Sequence, residues 1–137
     1  FSFGFLLDGV YGVDVFNADR RTRQGVGIGD YSERELKGDL PRGYIYSIYL
    51  NEEWRIDDGS FTKIRELSLG YQLPDNLIKG MSDINFTVIG RNLYSFDNYD
   101  GYDPETNAGG VSDRLRGIDF GNVPIPRTIQ FALKASF

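Results

Sequence analysis

Apolar and polar side chains take turns along much of this chain, with a period of two rather than 3.6. Near its end, Ile129, Phe131, Leu133, Ala135 and Phe137 fall on one side of an extended backbone. Thr128, Gln130, Ala132, Lys134 and Ser136 fall on the other. From Asp83 to Leu93, Ile84, Phe86 and Val88 oppose Asp83, Asn85, Thr87 and Arg91, with Ile89 the exception on the polar side. At the start, Phe1, Phe3, Phe5 and Leu7 alternate with Ser2, Gly4, Leu6 and Asp8; later, Leu67, Leu69 and Tyr71 alternate with Glu66, Ser68 and Gly70. The pattern predicts four strands, over residues 1–11, 61–72, 83–93 and 127–137. Each has roughly ten residues, the length a tilted strand needs to cross a bilayer.

Alternation alone also fits a half-buried antiparallel sheet in a sandwich. The connections separate the two readings. Residues 12–60 and 94–126 are long, whereas strands two and three are joined by the short stretch 72–82. In an antiparallel series the two long connections lie on one side. Long loops outside and short turns in the periplasm are the habit of an outer-membrane barrel, and two such loops are uncommon in a compact domain. Within the first, Val13–Arg23 suits a short helix, and the Gly25–Gly29 stretch breaks regularity. The run Tyr44-Ile45-Tyr46 with Ile48, Tyr49 and Leu50 suggests a further strand or packing on a neighbouring loop. Asp57-Asp58-Gly59 reads as a turn into strand two, and Gln72-Leu73-Pro74-Asp75 as its end. Leu77, Ile78 and Met81 suggest a helical turn.

Composition removes several chemistries. With no Cys and no His, disulfides, thiolate nucleophiles, Cys/His zinc sites and histidine acid–base catalysis are excluded. Twenty acidic against fifteen basic residues, a net charge of −5, argue against a nucleic-acid surface. At 137 residues the chain is one domain or less. It begins at Phe1 with Met81 as its single Met, so we expect a piece of something longer.

Several stretches resemble the C-terminal part of SusC/RagA-type TonB-dependent outer-membrane transporters. Asp58-Gly59-Ser60-Phe61-Thr62-Lys63-Ile64-Arg65-Glu66-Leu67-Ser68-Leu69-Gly70-Tyr71-Gln72-Leu73-Pro74 is similar to the strand before the family's final hairpin. Gly90-Arg91-Asn92-Leu93-Tyr94, then Asn98-Tyr99-Asp100-Gly101-Tyr102-Asp103-Pro104-Glu105, resembles its "NL…Y-G-Y-D-P-E" segment. Pro124-Ile125-Pro126-Arg127-Thr128, leading to Lys134-Ala135-Ser136-Phe137, is similar to its C-terminus. Gly12-Val13-Asp14-Val15-Phe16-Asn17 matches more weakly, and residues 24–55 match nothing. The resemblance implies an all-β fold: the last four or so strands of a large antiparallel transmembrane barrel, of about 22 strands around a plug. The plug is absent here. The family imports oligosaccharides or peptides, so the implied partners are the rest of the barrel and plug, a SusD-like surface lipoprotein and outer-membrane lipid. TonB would be met through the missing N-terminal part, and the outer-membrane assembly machinery would read the C-terminal strand. A carbohydrate-binding β-sandwich stays open as the competing reading.

Candidate sites are few. Asp97, Asp100, Asp103 and Glu105 are acidic residues close enough in sequence to raise a Ca²⁺ site, although their spacing is not that of an EF-hand and aspartate is ordinary turn chemistry. No catalytic residue and no cofactor site is expected, so the chain does not read as an enzyme. Tyr99 and Tyr102, with Tyr44, Tyr46 and Tyr49, are candidates for stacking on substrate. Lys63, Arg65 and Arg91 suit either the lumen or the rim. The resemblance gives Phe131, Leu133 and the terminal Phe137 an assembly-signal role. Four strands leave two edges whose N–H and C=O groups are unpaired, at several kcal/mol each in lipid. We therefore predict that residues 1–137 alone give no monodisperse monomer in detergent-free buffer; a sharp cooperative melt of such a monomer would refute this.

Overall fold

The computed structural model describes residues 1–74, 78, 80–110 and 115–136. Its elements are β1 (Ser2–Val10), β2 (Asp14–Asn17), α1 (Ala18–Gly25), α2 (Asp30–Lys37), α3 (Tyr44–Ile48), a 3-10 turn (Glu53–Arg55), β3 (Ile56–Asp58), β4 (Phe61–Gln72), β5 (Ser82–Asp97), β6 (Ile118–Asp119) and β7 (Thr128–Ser136). They form two units. One is Phe1–Gly9, Phe61–Phe96 and Ile125–Phe137; the other is Val10–Ser60 and Asp97–Pro124.

The first unit is a four-stranded sheet in the order β1-β4-β5-β7. β5 and β7 are antiparallel, pairing Phe86 with Leu133, Val88 with Phe131 and Gly90 with Ile129. Phe1 packs on Tyr71, with ring centroids 4.6 Å apart, and Phe86 stacks with Phe131 at 6.4 Å. A Cβ on Gly4 would strike Ser68 Oγ, and one on Gly70 would strike Ser2 Oγ, both at 2.4 Å. These contacts place residues 1, 2 and 4 opposite 71, 70 and 68, an antiparallel register. They also explain why small residues recur on the polar side of β1 and β4: the side chains there meet at close range.

These contacts, with Gly70 also facing Thr87 on β5, put alternating apolar residues of all four strands on a single face. Phe1, Phe3 and Phe5 continue into Leu69 and Tyr71, then Phe86, then Phe131 and Leu133. Most of this face is uncovered: Phe3 and Phe131 are 71% exposed and Leu133 is 73%, whereas Ile84 is buried at 9%. A sandwich would bury it against a second sheet. The opposite face is polar and cross-linked. Arg91 Nε donates to Glu66 Oε2 at 2.9 Å and its NH1 to Gln130 Oε1 at 3.1 Å, tying β5 to both neighbours. Arg91 is therefore on the polar face, where the alternation places it.

Two irregularities sit in β5. Asp83, at φ 51°, lies in a register shift between Ser82 and Asn85, as a β-bulge produces. Asn92, at φ 52°, is in the left-handed region that Asn tolerates. Beyond it Leu93 turns back over Gly90, where a Cβ would lie 2.8 Å from Leu93 Cδ2. β5 continues to Asp97, four residues past Leu93.

The second unit holds the helices and a small sheet, β3-β2-β6. β2 pairs antiparallel with β3 and parallel with β6, matching Phe16 to Ile56 and to Ile118. Two local expectations change. Tyr44–Ile48 is a helix rather than a strand, because the Glu35 carboxylate accepts the Gly43 and Ile45 amides at 2.7 and 2.9 Å and so satisfies donors that open a helix. Ile56–Asp58 is a strand, with the turn confined to Asp58–Ser60, where Asp58 Oδ1 accepts Ser60 N at 2.9 Å. Leu77, part of the expected helical turn, lies outside the described residues; Met81 N donates to Ile78 O at 3.1 Å.

The uncovered face makes a directional prediction for the full-length protein. Phe131→Arg puts a charge on the apolar side, at about 2–4 kcal/mol if it sits at the bilayer midplane, whereas Thr87→Lys adds one to the polar side. Folded protein in outer membranes, read by heat-modifiable gel mobility, should fall severalfold for Phe131→Arg only. Equal loss from both substitutions would contradict the assignment of faces.

Candidate functional site

Asn17 is fully buried, and it begins the construction of the second unit. Its side-chain oxygen accepts Arg20 N at 2.9 Å, capping α1, and its Nδ2 donates to Asp100 O at 3.0 Å. The cap orients the first turn of α1, which points Arg20 inward. The Arg20 guanidinium then meets three segments at once. Its Nε donates to Asp100 Oδ2 at 3.3 Å, its NH1 to the Trp54 carbonyl, and its NH2 to the Asp57 carboxylate. It also lies 5.8 Å from the Trp54 ring centroid. Arg23 NH2 adds a second bond to Asp100 O, at 2.8 Å. Arginine is suited to this because its planar fork can serve several acceptors together.

A second buried pair stands beside the first. The Tyr99 hydroxyl donates to Asp119 Oδ2 at 2.7 Å, with both residues buried. Burial pushes the Tyr99 phenol well above its ordinary value; the Asp119 hydrogen bond and the negative charges of Asp119 and Asp57 add to this, while Arg20 opposes it. Nearby, Ser60 Oγ accepts Gly12 N at 3.0 Å and Gly59 N donates to Val13 O at 2.8 Å, closing the base of the 12–60 connection. Hydrogen bonds from the hydroxyl and then the amide of Ser60 hold the Asp58 carboxyl below its usual range.

The expected site residues separate accordingly. The Ca²⁺ candidate does not assemble: among the described residues no group of three or more carboxylates is placed to hold a metal. Asp97 Oδ1 accepts Tyr99 N, Asp100 pairs with Arg20, and Asp103 Oδ1 accepts Glu105 N, which is Asx-turn chemistry. Tyr99 is 8% exposed and its hydroxyl is committed to Asp119, so in this fold it packs inside the unit. Tyr102 is 74% exposed. Tyr44 stacks on Tyr31 at 6.3 Å, Tyr31 sets an edge on Trp54 at 5.7 Å, and Tyr49 lies under Arg21 at 5.0 Å. Phe131 and Leu133 are on the open apolar face, and Phe137 lies outside the described residues. Arg20, Asp57 and Asp119 were not singled out by sequence as partners. Their only local signal is Asn17, a capping residue, placed just before a basic stretch.

No protein-family profile matches the chain. Over 116 residues it is 28% identical to TonB-dependent receptor P3 of Formosa agariphila, across 80% of this chain and 12% of that receptor. Its fold matches a structure of the RagAB peptide importer in the "open-open" state, with a TM-score of 0.72 over 98% of this chain and 15% of that one, at 18% identity. A structure of the RagAB peptide transporter matches with a TM-score of 0.54, over 74% and 13% of the two chains and again at 18% identity. The chain thus spans only about an eighth of the length of these relatives. It is similar in sequence to a TonB-dependent receptor, and its four-stranded antiparallel sheet shares the fold of part of the RagAB structure.

Two outcomes follow from the buried network, both measured in the full-length protein. The Arg20 side chain is 8% exposed and that of Asp57 15%, so removing Arg20 leaves a buried carboxylate unpaired, at about 3–5 kcal/mol. Arg20→Ala should raise protease cleavage within residues 10–60 and 97–124 at least tenfold while the sheet stays intact; wild-type cleavage rates would refute this. For Tyr99 the raised value favours the neutral phenol. Its stabilisation is complete below the ordinary tyrosine value of about 10 and is lost as pH climbs above it. Cleavage in the same loops should increase above that pH in the wild type and less in Tyr99→Phe; identical pH profiles would rule the titration out.

Proposed function

We propose that this chain is the C-terminal barrel wall and loop segment of an outer-membrane, TonB-dependent nutrient importer. The observation that carries the reading is the sheet itself: one apolar face, most of it without cover, and one polar face knotted by Arg91, Glu66 and Gln130. A wall between hydrocarbon and a wet interior needs this division. The likeness to TonB-dependent receptor P3 and the fold of RagAB, a peptide importer, lend support. The segment's part is architectural. It completes the barrel with strands from the rest of the protein and carries two long loops.

The cargo we assign is an oligosaccharide or a peptide, with peptide favoured because the structural neighbours are a peptide importer. The partners we assign are a plug and the remaining strands, a SusD-like surface lipoprotein over the loops, TonB through a segment outside this chain, and the outer-membrane assembly machinery at the C-terminal strand. No catalysis is assigned to it. The β-sandwich alternative lacks support, because Phe3, Phe131 and Leu133 would have to be buried under a second sheet.

Growth of the source organism on a peptide mixture as limiting nutrient, with and without the gene, tests the reading. Deleting the gene, or removing TonB, should abolish uptake of at least one labelled peptide or oligosaccharide. Uptake of every tested nutrient at wild-type rate in both strains would end the proposal.

A further inference from the structure

A cleft of about 590 Å³ lies among α1, α2 and α3, in a stretch of chain that none of the motifs reaches. Its volume falls within the ~300–1,000 Å³ typical of ligand pockets. Val26, Leu36, Ile45, Tyr46 and Tyr49 make its walls apolar, and Glu35 is the one charged side chain among its described lining residues.

Glu35 is held in place without being neutralised. Its Oε1 accepts the Gly43 amide at 2.7 Å and its Oε2 the Ile45 amide at 2.9 Å. The Ile45 and then the Gly43 hydrogen bond keep the carboxyl below its usual range, against the opposing effect of burial. Both donors are uncharged, so the negative charge remains, and each oxygen keeps a second lone-pair site. The basic residues nearby are engaged elsewhere. On α2, Arg34 lies 3.7 Å from Asp30 and Lys37 3.3 Å from Glu33. On α1, Arg21 sits over the Tyr49 ring and 3.7 Å from Glu52. Among the described residues no Lys or Arg pairs with Glu35.

The walls select among the ligands that such a charge would attract. A hard cation such as Ca²⁺ takes about six to eight oxygen ligands, and a single carboxylate does not supply them. An anion is repelled, and a sugar would regain few of the hydrogen bonds it gives up to water. An organic cation gains twice, by a charge-assisted bond to the carboxylate and by burying its apolar part. Leu36, next to Glu35, is 83% exposed, and Tyr46, next to Ile45, is 87% exposed. The Tyr46 ring can therefore take up a cation or an apolar group on its face.

We propose that this cleft binds an organic cation with an apolar body, a primary amine on an alkyl or aromatic group, with its ammonium on Glu35 and its body against Leu36 and Tyr46. The proposal goes beyond the import reading and does not depend on it, because binding is measured without transport.

The test uses the full-length protein in nanodiscs of zwitterionic lipid, with empty discs as the blank. Three probes of similar shape are titrated calorimetrically: phenethylamine, 2-phenylethanol and hydrocinnamate, which are cationic, neutral and anionic at neutral pH. The wild type should bind the amine at least tenfold more tightly than the alcohol and should not bind the acid. Added salt should narrow the gap between amine and alcohol. Glu35→Gln should weaken the amine at least tenfold and change the alcohol less than twofold, whereas Tyr46→Ala should weaken both at least threefold. Protease resistance of residues 10–60 checks that each variant stays folded. Should Glu35→Gln lose it, the charge preference of the wild type and the Tyr46→Ala affinities decide. No binding of the amine to the wild type, equal affinity for amine and alcohol, or unchanged amine affinity in Tyr46→Ala or in a folded Glu35→Gln would overturn the proposal.

Discussion

The rest of this structure depends on one constraint: a β-strand sends successive side chains to opposite faces, so a sheet in register can divide two environments. Here the division runs over four strands, from Phe1 through Tyr71 and Phe86 to Phe131, with Ile89 an apolar exception on the polar side. A one-residue slip in any pairing would mix the faces. The small residues Gly4, Ser68, Gly70 and Ser2, which pack too closely to admit larger ones, help hold the register of β1 on β4. Arg91 does the same for β5 by bonding sideways to both neighbours.

The long connections obey a different logic. Their unit has few apolar residues in its interior, among them Val15 and Tyr99, and an unusual share of buried polar ones: Asn17, Arg20, Gln24, Ser32, Arg55, Asp103 and Asp119. Stretches of chain that do not form a large hydrophobic core can still be ordered by hydrogen bonds and paired charges, although Trp54 Nε1 and Asp119 Oδ1 are buried here without a hydrogen-bond partner. Arg20 is the junction, since it touches residues from both long connections, Asp57 in one and Asp100 in the other. Such a network is specific rather than strongly stabilising, because desolvation offsets much of the attraction.

The motifs acquire physical meanings from these contacts. In Gly90-Arg91-Asn92-Leu93, glycine makes room for Leu93, Asn92 takes the left-handed turn, and Arg91 bridges the polar face. In Asp58-Gly59-Ser60, all three residues close the base of a loop. In the Tyr99–Glu105 segment, Tyr99, Asp100 and Asp103 are spent on packing, the Arg20 pair and an Asx turn. Each motif is a piece of scaffold. The open cleft among the helices lies where no motif pointed.

By itself the sequence determined the sheet: alternation is a local property, readable wherever apolar residues recur every second position, and it set the strands and their faces. Resemblance supplied the architecture to which those strands belong. Neither could say that Tyr44–Ile48 would be helical, that Tyr99 would be buried, or that Arg20 would meet Asp57 and Asp100. Those outcomes depend on groups 8 to 80 residues apart: a glutamate capping a distant helix, a tyrosine finding Asp119, a guanidinium shared among three segments. Only the folded chain brings such partners together. An uncompensated charge or amide is costly to bury, so the tertiary structure decides which polar residues go inside and which stay free to meet a ligand.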